Sequence, residues 1–200
     1  MITGQKEISR GFTIWLTGLP GAGKTTLANL VRDILIECGM ASVEILDGDI
    51  IRTHLSRGLG FSKEDRDTNV RRIGWVCQLL TKHGVPNVAA AVSPYRAARE
   101  EVRRMVENVG GKGSFVEVFV NCPVTVCEGR DPKGLYRRAR QGEIHNFSGV
   151  SDPYESPEAP EVIVHTAQET PDESARQVLN FLEASGLVKR TVGTAKYIAT

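Results

Sequence analysis

This chain lacks most of what would mark a membrane, secreted or polyanion-binding protein. No apolar run approaches bilayer length, and Met1 to Glu7 contain no signal-peptide core, so a cytoplasmic protein is expected with no membrane partner. A surplus of one charge is missing too. Twenty-five Lys+Arg oppose 24 Asp+Glu, a net charge of +1, which removes any global electrostatic case for nucleic acid. Cysteine is scarce. Cys38, Cys77, Cys122 and Cys127 form no C-x-x-C pair and read as reduced structural thiols. His54, His83, His145 and His165 make no cluster with metal-ligand spacing. No repeat and no second domain are visible, so residues 1–200 are expected to form a single domain.

What is present is a phosphate-binding motif. Residues 18–25 read Gly-Leu-Pro-Gly-Ala-Gly-Lys-Thr and fit G-x-x-x-x-G-K-[ST] without a mismatch. Glycines at Gly18, Gly21 and Gly23 let backbone N–H groups turn inward around phosphate oxygens. Lys24 supplies a point charge for the β- and γ-phosphates, and the Thr25 hydroxyl suits magnesium. The context agrees. Phe12 to Thr17 is β-branched and apolar, as a buried strand should be, and Leu27, Leu30, Val31, Ile34 and Leu35 recur at helical spacing. Strand, glycine loop and helix, in that order, predict a nucleoside triphosphate site.

The rest of the chain reads as an α/β fold of the P-loop NTPase type, a parallel sheet of about five strands with helices on both faces. Val43 to Leu46 predicts a second strand ending in Asp47-Gly48-Asp49, and ligands bind at the carboxyl ends of such strands. Two carboxylates there suit magnesium or the proton of an attacking hydroxyl. Ser62 with Asp65 predicts a capping box, opening a helix that buries Ile73, Val76, Cys77 and Leu80. Arg66 and Asn69 extend that stripe as a cavity wall would. Pro86 to Val92 predicts a third, central strand ending in Ser93-Pro94-Tyr95. Phe115 to Val120 and Glu161 to Thr166 predict two more. Thr170, Pro171 and Glu173 predict a capped helix start.

Asp131 to Pro160 breaks this rhythm. Five cationic residues fall between Arg130 and Arg140, with Tyr136, Phe147 and Tyr154 interleaved. We expect an irregular, mobile lid over residues 130–160, its cations closing over phosphates and excluding water. The lid points to phosphoryl transfer to a small acceptor rather than a switch GTPase, and no Asn-Lys-x-Asp motif occurs.

The acceptor comes from a resemblance. The chain resembles adenylylsulfate kinases over nearly its whole length. The matching blocks are Gly18 to Thr26, Leu46-Asp-Gly-Asp49 with Arg52, and Gly58-Leu-Gly-Phe-Ser62. They continue with Asp65-Arg66, Asn69 to Arg72, Ser93-Pro94-Tyr95, Arg130-Asp-Pro-Lys-Gly-Leu-Tyr136, Gly142-Glu-Ile144 and Asn146-Phe-Ser-Gly149. The resemblance implies ATP plus adenylylsulfate giving ADP plus 3′-phosphoadenylylsulfate, with magnesium. It implies that Gly18, Gly21, Ala22, Gly23, Lys24, Thr25, Thr26 and Arg130 serve ATP. Phe61 and Phe147 would sandwich the acceptor adenine. Arg52, Arg66 and Asn69 would hold phosphosulfate and ribose, with Asp49, Val92, Ser93, Lys133 and Asn146 in the same site. Thr25 and Asp47 would serve the metal, Asp47 alternatively the proton. Ser93, where the family has been described as phosphorylated, is expected to be a pocket residue in a direct transfer.

Ile50 departs from the family, which often has Asn there. The Ile50 to His54 variant resembles kinase domains fused to ATP sulfurylase, so a sulfurylase partner is expected, free or fused, and a homodimer is allowed. Two alternatives remain at this point. One is a gluconate- or shikimate-type kinase, which would not need two aromatics. The other is a non-catalytic module regulating a sulfurylase, which intact Lys24, Thr25, Asp47 and Asp49 oppose.

Overall fold

The computed structural model describes residues 11–189. The reading of Met1 to Glu7 lies outside them. Elements follow in the order β1 (Thr13–Thr17), α1 (Lys24–Glu37), β2 (Glu44–Asp47), α2 (Gly48–His54), α3 (Lys63–Lys82) and β3 (Asn87–Ala90). Then come α4 (Arg96–Gly110), β4 (Phe115–Asn121), α5 (Val124–Arg130), α6 (Leu135–Arg140), β5 (Val162–His165) and α7 (Pro171–Ala184).

The five strands form one parallel sheet in the order β2-β3-β1-β4-β5. The central strand is therefore β1; β3 is interior but one place off centre. All five residues of β1 are buried, since both faces are covered. The two-residue period of a strand divides them. Ile14 and Leu16 join Val116, Val118 and Val120 of β4 against Leu27, Val31 and Leu35 of α1 and Val178 and Leu182 of α7. Trp15 points the other way, with Ala89 and Phe115, onto Val70, Ile73 and Cys77 of α3 and Val102 and Val106 of α4. With every strand parallel, each βα connection leaves from one edge, and the phosphate loop, Asp47 and Ser93 converge there.

Two local expectations are corrected. The buried stripe of α3 is Val70, Ile73, Gly74, Cys77 and Thr81, leaving Val76 and Leu80 half-buried. Gly74 allows α4 to approach: a Cβ there would lie 2.5 Å from Val102 Cγ2. Thr81 is tolerated inside because its hydroxyl meets Thr13 Oγ1 at 3.0 Å and Asn87 Nδ2 at 3.3 Å. The Ser62–Asp65 box is half formed. Ser62 Oγ accepts from Asp65 N at 3.1 Å, but the Asp65 carboxylate accepts from Gly60 N at 2.9 Å. The box of Thr170 and Glu173 on α7 is complete.

The segment expected to be an irregular lid carries no helix or named strand over residues 141–160, but its first part is regular. Residues 131–160 include α6, and Tyr136, Ala139, Ile144 and Phe147 are buried in the main core. Asp131 starts α6 by accepting from the N–H groups of Tyr136 and Arg137, each at 3.1 Å. This is a side-chain cap on a helix too short to show an apolar period. Tyr154 is likewise fixed, stacked on Phe119 with ring centroids 6.0 Å apart.

Candidate active site

The loop between β1 and α1 is shaped by its carbonyls as much as by its amides. Gly18 has φ +155°, and a Cβ on it would lie 2.5 Å from Val120 O. Gly21, at φ +76°, lets the chain reverse against Cys127 O. The carbonyls that this winding turns away from the concave side each find a donor. Lys24 Nζ reaches Gly18 O at 2.9 Å and Leu19 O at 2.8 Å. Tyr136 Oη donates to Pro20 O at 3.0 Å, Arg130 Nη1 to Gly21 O at 3.4 Å and Thr166 Oγ1 to Ala22 O at 2.8 Å. Such a nest presents N–H groups at the start of α1, an anion site by construction.

Lys24 is only 9 % exposed. Burial lowers its ammonium pKa from 10.5 to about 8, because the charged form loses hydration. An incoming polyphosphate offsets that loss.

Next to it, Thr25 Oγ1 donates to Asp47 Oδ2 at 2.7 Å, while Asp47 Oδ1 accepts from Asp49 N at 2.9 Å and caps α2. Asp47 is buried at the end of β2; Asp49, in the first turn of α2, is open and pairs with Lys133 from the turn between α5 and α6. The two aspartates therefore differ in environment, which their spacing alone does not reveal. Thr25 and Asp47 offer hard oxygen donors, the set magnesium takes when most of its remaining positions are water and phosphate. The donor set fits magnesium.

The other half of the site lies beyond Asp49. Arg52 Nη1 donates to Leu59 O at 3.2 Å and Gly60 O at 3.1 Å, fixing the loop that carries Phe61. The guanidinium carbons of Arg52 and Arg66 lie 4.9 and 5.4 Å from the Phe61 ring centre. Arg66 also donates to Phe61 O at 3.0 Å and to Asn146 O at 2.6 Å, so it ties together the segments bearing both aromatic walls. Phe61 is 42 % exposed. Phe147 is buried, its ring edge-on to Tyr136 with centroids 5.0 Å apart. Asn69 is buried with its Oδ1 unpartnered.

Ser93 is held rather than free. It sits at φ +39°, buried, with Oγ accepting from Trp15 Nε1 at 3.1 Å and donating to Thr17 Oγ1 at 3.0 Å. Thr17 Oγ1 in turn donates to Val92 O at 2.9 Å. Neither histidine nor lysine is a partner of the Ser93 hydroxyl.

One cavity of about 1170 Å³ joins both halves. Its wall includes Gly21, Gly23, Lys24, Thr25, Thr26, Asp47, Asp49, Arg52, Phe61 and Arg66. Asn69, Val92, Ser93, Arg130, Lys133 and Phe147 lie on it as well. Gly18, Ala22 and Asn146 stand behind that wall, supporting it through their carbonyls. Sequence reasoning missed Tyr136 and Thr166 as site residues. Thr166 was within reach, since it follows β5 at the ligand edge of the sheet. Asn29, Arg32, Glu169 and Pro171 also line the cavity without any motif to mark them.

A parallel sheet carrying a phosphate loop, a buried lysine, a threonine–aspartate pair and a second, aromatic-walled compartment define a P-loop kinase of small molecules. Comparison with known proteins narrows this. The profile of the family described as adenylylsulphate kinase matches residues 10–165, and the chain belongs to that family. It is 56 % identical over 183 residues to the adenylyl-sulfate kinase of Microcystis aeruginosa, covering 92 % of this chain and 97 % of the relative. It is 52 % identical over 180 residues to the probable bifunctional SAT/APS kinase 2 of Sorangium cellulosum, covering 90 % of this chain but 30 % of that protein. The Mycobacterium tuberculosis APS kinase, solved in complex with AMPPNP and APS, superposes with a TM-score of 0.82 at 41 % identity, covering 87 % of this chain and 98 % of that one. A gluconokinase from Sinorhizobium meliloti, 18 % identical with a TM-score of 0.58 over 88 % of this chain and 94 % of its own, shares the fold alone. The protein is an ATP-dependent kinase. Among the described residues no helix is long and apolar enough to cross a membrane.

Proposed function

We propose that this chain transfers the γ-phosphoryl group of ATP to the 3′-hydroxyl of adenylylsulfate, giving ADP and 3′-phosphoadenylylsulfate. The observation that carries the assignment is the presence of Phe61 and Phe147 on the wall of the cavity that holds Lys24, Thr25 and Asp47. Aromatic faces suit a purine; gluconate or shikimate has none.

Roles follow from position. The loop amides from Gly21 to Thr26 bind the phosphates, with Lys24 neutralising charge where it develops. Arg130, already spanning Gly21 O and Thr166 O, faces the ATP end. Thr25 and Asp47 would hold magnesium, which would supply neutralisation of phosphate charge. Asp49, Arg52, Arg66, Asn69 and Lys133 surround the acceptor's phosphosulfate and ribose. The proton of the 3′-hydroxyl passes to a carboxylate of the Asp47–Asp49 pair. Transfer is direct: positioning and charge carry most phosphoryl transfer, and Ser93, bonded to Trp15 and Thr17, acts as a pocket wall.

The substrate must come from adenylyl transfer to sulfate, so an ATP sulfurylase, separate or fused, is the functional partner, and the cytoplasm, where ATP is made available, is the setting. Titration calorimetry tests the acceptor assignment. Adenylylsulfate should bind the wild-type chain and be displaced by AMP; displacement by gluconate or shikimate instead would contradict it.

A further inference from the structure

Tyr136 touches both halves of the cavity at once. The second residue of α6, it is 1 % exposed. Its hydroxyl is fixed to the phosphate loop through Pro20 O at 3.0 Å. Its ring meets Phe147 edge-on, at an interplanar angle of 81°. The base of this side chain is also set from the nucleotide side. Asp131 anchors the N–H groups of Tyr136 and Arg137, and the preceding residue, Arg130, bridges Gly21 O and Thr166 O. Packing alone would be served as well by phenylalanine. A buried hydroxyl costs free energy unless bonded, and this one is bonded to the backbone that phosphate binding must order.

We propose that Tyr136 is a positioning residue that couples the nucleotide and acceptor sites. This inference rests on the reading of Phe147 as an acceptor wall. Phosphate binding fixes the loop backbone, hence Pro20 O and the direction of the Tyr136 hydroxyl. A tyrosine side chain has two rotatable bonds, so fixing its tip fixes its ring, and that ring, nearly perpendicular to Phe147, sets the plane of Phe147. The purine slot is then ordered before the acceptor arrives, which lowers the cost of binding it. The coupling is reciprocal: adenylylsulfate must tighten nucleotide binding by the same factor.

The test is calorimetric titration of adenylylsulfate with and without a non-hydrolysable ATP analogue. The wild-type chain should bind adenylylsulfate more tightly with the analogue present. Tyr136→Phe keeps the ring and removes the bond to Pro20, so the quantity compared is the ratio of affinities with and without nucleotide. Its enhancement by nucleotide falls about 2- to 10-fold, the range of one hydrogen bond. Tyr136→Leu also loses the ring edge and weakens adenylylsulfate binding in both conditions. A wild-type enhancement of one, or an unchanged enhancement in Tyr136→Phe, overturns the coupling and leaves the acceptor assignment standing. Failure of the wild-type chain to bind adenylylsulfate overturns the assignment and the coupling together.

Discussion

Thr25 and Asp47, 22 residues apart, meet through a 2.7 Å hydrogen bond that joins the first turn of α1 to the end of β2. The bond holds two hard oxygen donors at one point beside the phosphate loop. Asp47→Asn keeps the shape and loses the charge that the metal requires. Both substrates should still bind, while the single-turnover rate falls roughly 10²- to 10⁴-fold, the scale of losing a charged group in the chemical step. An unchanged rate would move the role to Asp49.

Lys24 should show itself in both rate and pH. Lys24→Ala should lower kcat about 10²- to 10³-fold with the fold intact. In the free protein burial holds the ammonium at about 8, so it is charged below that pH and neutral above. Bound polyphosphate favours the charged form and raises the value. ATP affinity should therefore weaken as pH rises through about 8, with proton uptake on binding measurable in buffers of different ionisation enthalpy. A pH-independent affinity between 7 and 9.5, in a window chosen around that value, would contradict this placement.

The two aromatic walls should separate on stability. Phe61→Ala and Phe147→Ala should each raise the acceptor KM several-fold or more and spare ATP affinity measured without acceptor, since stacking contributes about 0.5–1.5 kcal/mol beyond burial. Phe61 is partly open and its loss should barely shift the melting temperature. Phe147 is 3 % exposed, and its truncation should cost about 3–5 kcal/mol. Equal thermal shifts would contradict the burial difference.

Ser93→Ala should retain substantial activity, with any loss mainly in acceptor affinity. It leaves Trp15 Nε1 without its 3.1 Å partner, a stability loss of about 1–3 kcal/mol. Rapid-quench trapping with labelled ATP should find no phosphoserine. Labelled Ser93 during turnover, with an inactive alanine variant, would refute direct transfer.

The parts of this protein legible in sequence are those encoded locally. Gly18 to Thr25 and the Thr170–Glu173 box are contiguous, and each residue's role depends on neighbours within a turn. Arg66 and Asn69 were visible as a polar extension of a buried stripe, which is where the structure places them. The centre of that stripe is not legible because Gly74 and Thr81 carry no apolar signal. Gly74 is there for the close approach of Val102, and Thr81 for hydroxyl partners on β1 and β3. The segment after Arg130 looked irregular because α6 is six residues long and started by Asp131. Tyr136 could not be identified as a site residue from spacing, since its partner Pro20 lies 116 residues away.

The central claim is that one cavity brings ATP and adenylylsulfate together for transfer. The most direct test is initial ADP release by the purified chain in Mg²⁺-ATP, with and without adenylylsulfate, followed by identification of the nucleotide product. ADP should appear at a rate that requires adenylylsulfate, in step with a product phosphorylated on the 3′-hydroxyl, and Lys24→Ala should remove both signals. ADP release indifferent to adenylylsulfate, or driven by gluconate or shikimate, would contradict the account.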